Sequence, residues 1–183
     1  MAYTIGLPTP SGLASTPADS DRAWVSKFAS VSAGTMVQGT VCFTSGTGGT
    51  TGRFIVLSVT GGEPDAVIAY SEIVTIPAGA STTVFPLSGE AVAATTDYYF
   101  GIVTYDFNAV MDGGVTGAGY QTRLANGTFS LATPPGTWPG SDGSYTDALS
   151  VALEIEDVVA GPTMGYLRPN RLRPRIFGPG IAR

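Results

Sequence analysis

The chain has 183 residues, 43% of them hydrophobic and 13% charged, against about 25% charged in an ordinary soluble domain. That length suits one domain with arms, and so few charges leave the surface to Ser, Thr, Gly, Asn and backbone, a composition suited to packing against copies or partners. Histidine is absent, which removes Ser-His-Asp and Cys-His nucleophiles and most zinc sites, and a single cysteine excludes an intrachain disulfide framework.

Residues 1–20, with Leu7-Pro8-Thr9-Pro10-Ser11-Gly12, read as an extended arm rather than a helix. The opening Met1-Ala2-Tyr3-Thr4-Ile5 has neither the basic region nor the apolar core of a signal peptide. From residue 21 the pattern turns to period two: Ala23, Val25, Lys27 and Ala29 alternate with Trp24, Ser26 and Phe28. After a turn at Ser32-Ala33-Gly34, residues 36–44 read as a second strand, with Cys42 as a small buried residue between Val41 and Phe43. The glycine-rich stretch from Ser45 to Gly52 is a loop. It leads into Arg53-Phe54-Ile55-Val56-Leu57-Ser58-Val59, a nearly continuous apolar run and hence a strand covered on both faces.

Gly61-Gly62-Glu63-Pro64-Asp65 reads as a turn, 67–76 as one long strand and Pro77-Ala78-Gly79-Ala80 as another turn. Residues 82–87 form a short strand that Pro86 marks as an edge. The richest strand spans 97–105, with shorter ones at 119–123 and 128–131, and a Pro/Gly-rich loop covers 133–143. In the last strand Leu149, Val151, Leu153 and Ile155 alternate with Ser150, Ala152, Glu154 and Glu156, which predicts one face to the core and one to water. No segment sustains a 3.6-residue period, and no apolar run is long enough for a membrane helix. The expected fold is all-β: a jelly-roll-like β-sandwich over 21–160, with an N-terminal arm (1–20) and a basic, Pro-rich C-terminal arm (161–183).

The charge is unevenly divided. All 14 acidic residues lie between Asp19 and Asp157, where the only cations are Arg22, Lys27, Arg53 and Arg123. Residues 161–183 carry Arg168, Arg171, Arg173, Arg175 and Arg183 and no acid, for an overall net charge of −5. An acidic body with a basic tail favours docking of tail on protein, its own or a neighbour's. Nucleic acid is not the expected partner, because prolines interrupt the arginines and the body repels phosphate. Tyr166 and Phe177 are read as apolar anchors of this arm, with Arg168, Arg171, Arg173 and Arg175 pairing with acids between them.

Little else in the sequence carries chemistry. The glycines of 46–52 lack the Gly-Lys-Ser/Thr of a phosphate-binding loop and lead into a strand instead of a helix. Asp142 with Asp147, and Glu154 with Glu156, are the carboxylate pairs a glycosidase would need, but the first sits in turn composition and the second on a solvated strand face. Asp106, Asp112, Asp142 and Asp147 are candidate loop ligands for structural calcium but match no calcium-loop spacing. The expectation is a non-enzyme without cofactor or metal. Tyr120, Trp138 and Tyr145 are candidate aromatics, either as plugs that anchor a loop or interface or as a platform for sugar.

Four segments taken together carry a resemblance: Arg53-Phe54-Ile55-Val56-Leu57; Gly61-Gly62-Glu63-Pro64-Asp65-Ala66-Val67-Ile68-Ala69-Tyr70-Ser71; Thr75-Ile76-Pro77-Ala78-Gly79; and Thr95-Thr96-Asp97-Tyr98-Tyr99-Phe100-Gly101-Ile102. Over about residues 21–157 this resembles a carbohydrate-binding-like jelly-roll module of the kind found in tailed-phage virion proteins. In that module a Gly-rich turn carries P-x-x-x-x-A-x-S, and a later strand carries T-x-Y-x-x-G-I. The tail Leu167-Arg168-Pro169-Asn170-Arg171-Leu172-Arg173-Pro174-Arg175 looks like arms of phage capsid-associated proteins. The resemblance implies a virion structural protein, a capsid decoration (cement) protein. It would bind the major capsid protein or another virion protein, and neighbouring copies as a homo-oligomer, with a trimer expected by analogy, and would engage no nucleic acid and no membrane. The alternative is a carbohydrate-binding module of a phage head or tail fibre, or a surface adhesin.

Overall fold

A computed structural model of the chain describes residues 1–9, 14–18, 22–46, 49–104, 109–123, 136–141 and 143–157; for 14–18, 46, 109–110, 112–123, 143 and 145–148 it describes the backbone alone. The described residues form strands and no helix. In chain order these are β1 (Ala2–Gly6), β2 (Ala14–Ala18), β3 (Arg22–Ala29), β4 (Gly34–Gly46), β5 (Thr51–Thr60), β6 (Glu63–Tyr70), β7 (Val74–Thr75), β8 (Ser81–Pro86), β9 (Ala91–Val92), β10 (Asp97–Thr104), β11 (Ala109–Arg123), β12 (Gly143–Leu149) and β13 (Val151–Glu156).

Among the described residues all pairings are antiparallel, and they build a β-sandwich. One layer runs β1-β13-β4, with β8 and β9 on the far side of β4. The other runs β12-β11-β3-β10-β5-β6, with β7 beside the start of β5. The hydrogen-bonded path is continuous because β11 belongs to both layers: Ala109–Met111 pair with β4, and Gly119–Arg123 pair with β3. Register shifts along β11 accompany the passage, as expected where a strand turns a sandwich corner.

The core between the layers follows from the period-two pattern. Val41 and Phe43 of β4, Phe85 of β8 and Val151, Leu153 and Ile155 of β13 meet Phe54 and Val56 of β5, Phe100 and Ile102 of β10 and Trp24 of β3. Phe54 bridges the layers, with ring centroids 6.2 Å from Phe85 and 5.9 Å from Phe100. Each fully buried ring of this kind contributes roughly 1.5–3 kcal/mol through removal of apolar surface from water. Cys42, one residue out of phase with this face, is buried on the other side of β4, where its Sγ lies 3.6 Å from the Pro8 carbonyl.

The continuous apolar run of β5 is explained by a second, smaller core. Ile55 and Leu57 point away from the sandwich interior and cluster with Ala23, Val25, Tyr99, Val103 and Trp138. The layer β3-β10-β5 is thus buried on both faces, as the run predicts.

Several elements differ from the sequence reading. The first twenty residues are not wholly an arm: β1 pairs along β13, and β2 pairs with β11. β1 is a short alternation, with Ile5 buried and Tyr3 packed against the core, β2 is Ala-Ser-Thr-Pro-Ala, and the pairing of both comes from partner strands distant in sequence. The long strand expected over 67–76 is broken at Ser71-Glu72-Ile73 into β6 and β7, and β6 begins earlier, at Glu63. The turn before it is the pair Gly61-Gly62, with φ of +64° and +93°, the two positive values that a tight two-residue hairpin requires. The final alternating run is interrupted at Ser150, which ends β12 and begins β13. Leu149, Val151, Leu153 and Ile155 are buried as expected, but so are Ser150 and Ala152 of the supposed water face, and only Glu156 there is exposed. The expected strand at 128–131 lies outside the described residues. Among the described residues β8 pairs only with β4, the edge position that Pro86 implied.

Candidate functional site

A groove of about 420 Å³ opens at the edge of the sandwich, where the end of β6 faces the β8–β9 connection. Ile68, Ala69, Tyr70 and Glu72 line one side and Pro86, Leu87, Ser88 and Glu90 the other. Its floor is apolar because Ala69 is buried and Ile68 and Leu87 pack against the main core. Its rim is acidic: the Glu72 side chain is 94% exposed, and Glu90 is also exposed.

The β6 side of this groove is held by Ser71, which is buried at the strand break. Its hydroxyl accepts from the Phe54 amide at 3.0 Å and donates to the Glu72 carbonyl at 2.7 Å, while its own amide donates to the Phe54 carbonyl at 2.9 Å. The serine therefore continues the β5 ladder past the end of β6 and turns Tyr70 and Glu72 outward. Beside it Arg53 is buried on the outer face of β5, with its guanidinium 5.0 Å from the centre of the Tyr70 ring and 4.0 Å from the Glu72 carboxylate. A buried guanidinium needs such partners, and it fixes the half-exposed tyrosine at the groove mouth.

The β8–β9 side is held by backbone bonds to β4: the Leu87 amide donates to the Val37 carbonyl and the Met36 amide to the Glu90 carbonyl. Farther along, Ser30 ties the start of β10 to this region, donating through Oγ to the Ala93 carbonyl and accepting from the Thr96 amide. The Tyr98 hydroxyl accepts from the Ala93 amide. Ser71 and Tyr98, two of the positions that carry the resemblance, thus hold strand ends.

Of the candidate aromatics, Trp138 alone has a described side chain. Trp138 belongs to the segment 136–141, which pairs with the edge of β6: the Val67 amide donates to the Gly136 carbonyl, and the Trp138 amide to the Asp65 carbonyl. Trp138 is 9% exposed, packs in the outer core, and donates through Nε1 to the Ser141 hydroxyl at 3.1 Å. That arrangement anchors the loop on the outer core. The backbones of Tyr120 and Tyr145 lie at the opposite side of the same layer, in adjacent ladder positions of β11 and β12. The arm residues Tyr166, Arg168, Arg171, Arg173, Arg175 and Phe177 lie outside the described residues, as do Asp106 and Asp142. Among the described residues no three His, Cys, Asp or Glu side chains gather as metal ligands. The groove residues Tyr70, Glu72 and Glu90 escaped the sequence reading because Tyr70-Ser71-Glu72 sits inside a stretch that reads as one uninterrupted strand.

The fold and its edge define an antiparallel β-sandwich with an apolar groove rimmed by acids. In comparison with known proteins, no family model and no curated protein matches the chain.

Proposed function

We propose that this chain is a phage virion structural protein, a jelly-roll decoration (cement) protein that binds the major capsid protein or another virion protein and neighbouring copies. It acts without catalysis or cofactor, resides in the virion, and assembles as a trimer. The observation that carries this reading is the division of charge: all 14 acids lie up to Asp157, while residues 161–183 hold five arginines and no acid. Such a tail pairs with carboxylates on protein surfaces, and its apolar residues anchor between them. The body offers a sparsely charged surface, with Val37, Tyr70, Ile73 and Val84 among its exposed large apolar side chains. Burial of such surface over a broad interface is what binds a decoration protein to its shell.

Cryo-electron microscopy of virions from the source tests the reading. Sandwich-shaped density clustered on symmetry axes of the capsid is the expected result, and light scattering of the purified protein is expected to give three times the chain mass. A glycan array is expected to be silent. Specific binding to one glycan class, with no density on the capsid, would replace this reading by the carbohydrate-binding one.

A further inference from the structure

We propose that the groove between β6 and the β8–β9 connection is the seat of the basic arm of the same chain, and that it receives a short run of residues from within 164–175. This rests on the reading of 161–183 as a docking element and names the surface it docks on. Three observations converge.

The first is chemical complementarity. The groove offers an apolar floor of Ile68, Ala69 and Leu87 between the carboxylates of Glu72 and Glu90. Among the described residues Glu90 has no ion-pair partner, and Glu72 reaches only Arg53, at the long distance of 4.0 Å. The segment Met164-Gly165-Tyr166-Leu167-Arg168-Pro169-Asn170-Arg171-Leu172-Arg173-Pro174-Arg175 alternates apolar anchors with arginines. Guanidinium groups suit exposed carboxylates because they bond them two at a time. The prolines reduce the freedom lost on docking, since a proline-rich chain is already extended.

The second is size. A groove of about 420 Å³ accepts a few side chains and a short run of extended backbone, not a folded domain.

The third is reach. The last described residues of β13 lie close to the groove: Glu156 pairs with Thr35, and Thr35 pairs on its other side with Ala91, next to Glu90. Two strand spacings amount to about 10 Å. Along β4, Thr35 is three residues from Gln38, which pairs with Pro86 at the groove wall, roughly another 10 Å. An extended chain covers about 3.3 Å per residue, so six residues after Asp157 are enough to cover that distance of some 20 Å. No other segment of the chain combines this reach with a run of arginines free of acids.

The test uses the full chain carrying the photo-crosslinker p-benzoylphenylalanine in place of Ser88, an exposed groove residue, and in a second protein in place of Ala78, exposed at the opposite end of β8. After irradiation of dilute protein, mass spectrometry reads which peptides are joined. Position 88 is expected to link to residues 164–175 at least five-fold more than position 78 does. Adding the surface changes Glu72→Lys and Glu90→Lys is expected to abolish the excess while the melting curve stays cooperative. Equal links from both positions, or none from position 88 to 164–175, would overturn the assignment. So would links that form only between copies in a mixture of light and heavy isotope-labelled protein. Decoration of virions is a separate readout: decorated particles without these links discard the groove and keep the proposed function, and links without decoration do the reverse.

Discussion

Gly39 of β4 lies flat against the ring of Phe54 from the opposite layer: a Cβ at position 39 would come within 2.4 Å of the ring atoms Cγ and Cδ1. The two layers close on each other through this contact, with Phe54 packed between Gly39 and the tilted neighbouring rings of Phe85 and Phe100. Gly39→Ala therefore overpacks the centre of the sandwich and is expected to destabilise it by about 1–3 kcal/mol, the usual cost of an added methyl in a full core. Urea denaturation measures the loss. Phe54→Leu in the Gly39→Ala background is expected to recover part of it, so that the two changes are strongly non-additive. Additive losses would show that the two residues do not press on each other.

Trp138 is the cover of the second core. Trp138→Ala is expected to cost about 3 kcal/mol or more, as for large aromatic truncations in cores. Because the segment 136–141 also pairs with β6, amide exchange of residues 65–67 is expected to accelerate in the variant. Trp138→Phe keeps most of the packing and gives up the bond to Ser141, worth about 1 kcal/mol. A fully stable Trp138→Ala protein would mean that the outer face of β3, β10 and β5 has other cover.

The sandwich was largely legible in the sequence because alternation reports directly on burial. Leu149, Val151, Leu153 and Ile155 are buried as their spacing predicts, and the unbroken run from Phe54 to Leu57 announced a layer covered on both faces. What the pattern hid depends on partners far away in sequence. β1 is only five residues long and β2 is made of Ala, Ser, Thr and Pro, and both exist through pairing with β13 and β11. The length of β11 was masked by its glycines, Gly113, Gly114, Gly117 and Gly119, which lack side chains to show a period. The groove was invisible for a related reason: Glu72 and Glu90 are 18 positions apart in ordinary turn composition, and only the folding of β8 beside β4 sets them on one rim.

Thr95 is the one described non-glycine residue with positive φ, at 51°, in the turn between β9 and β10. A β-branched side chain is poorly accommodated there, at a cost of about 1–2 kcal/mol. Its side chain is exposed, with its hydroxyl donating to the Ala94 carbonyl. Thr95→Asn is expected to raise stability by about 0.5–1 kcal/mol, since asparagine tolerates this conformation and keeps a polar side chain in the turn. A lower melting temperature in the variant would count against the strain.

Ser71 carries the β6 side of the groove. Removing its hydroxyl in Ser71→Ala leaves the buried Phe54 amide without its acceptor and is expected to cost about 1–3 kcal/mol. The same change frees the Glu72 carbonyl, so it is also expected to loosen the groove mouth, read as faster amide exchange at 72–74. Ser71→Thr, which keeps the hydroxyl, is expected to preserve the ladder if the extra methyl fits. A Ser71→Ala protein with unchanged stability and exchange would show that the strand break is held by something else.

Deleting residues 161–183 separates the sandwich from its basic segment. The residues that form the described core all lie before Asp157, so the truncated protein is expected to fold cooperatively, with loss of only the modest stabilisation that arm docking adds. Exposed charge pairs are worth about 1 kcal/mol or less each, so the melting shift is expected to be small and to shrink further as salt is raised. On the virion the arm is expected to exchange the groove of its own sandwich for acidic surface on the shell, so attachment to virions should weaken at least ten-fold at fixed salt when its five arginines are deleted. A truncated protein that decorates particles as tightly as the full chain would make the arm dispensable for assembly and would confine its role to the groove of its own sandwich.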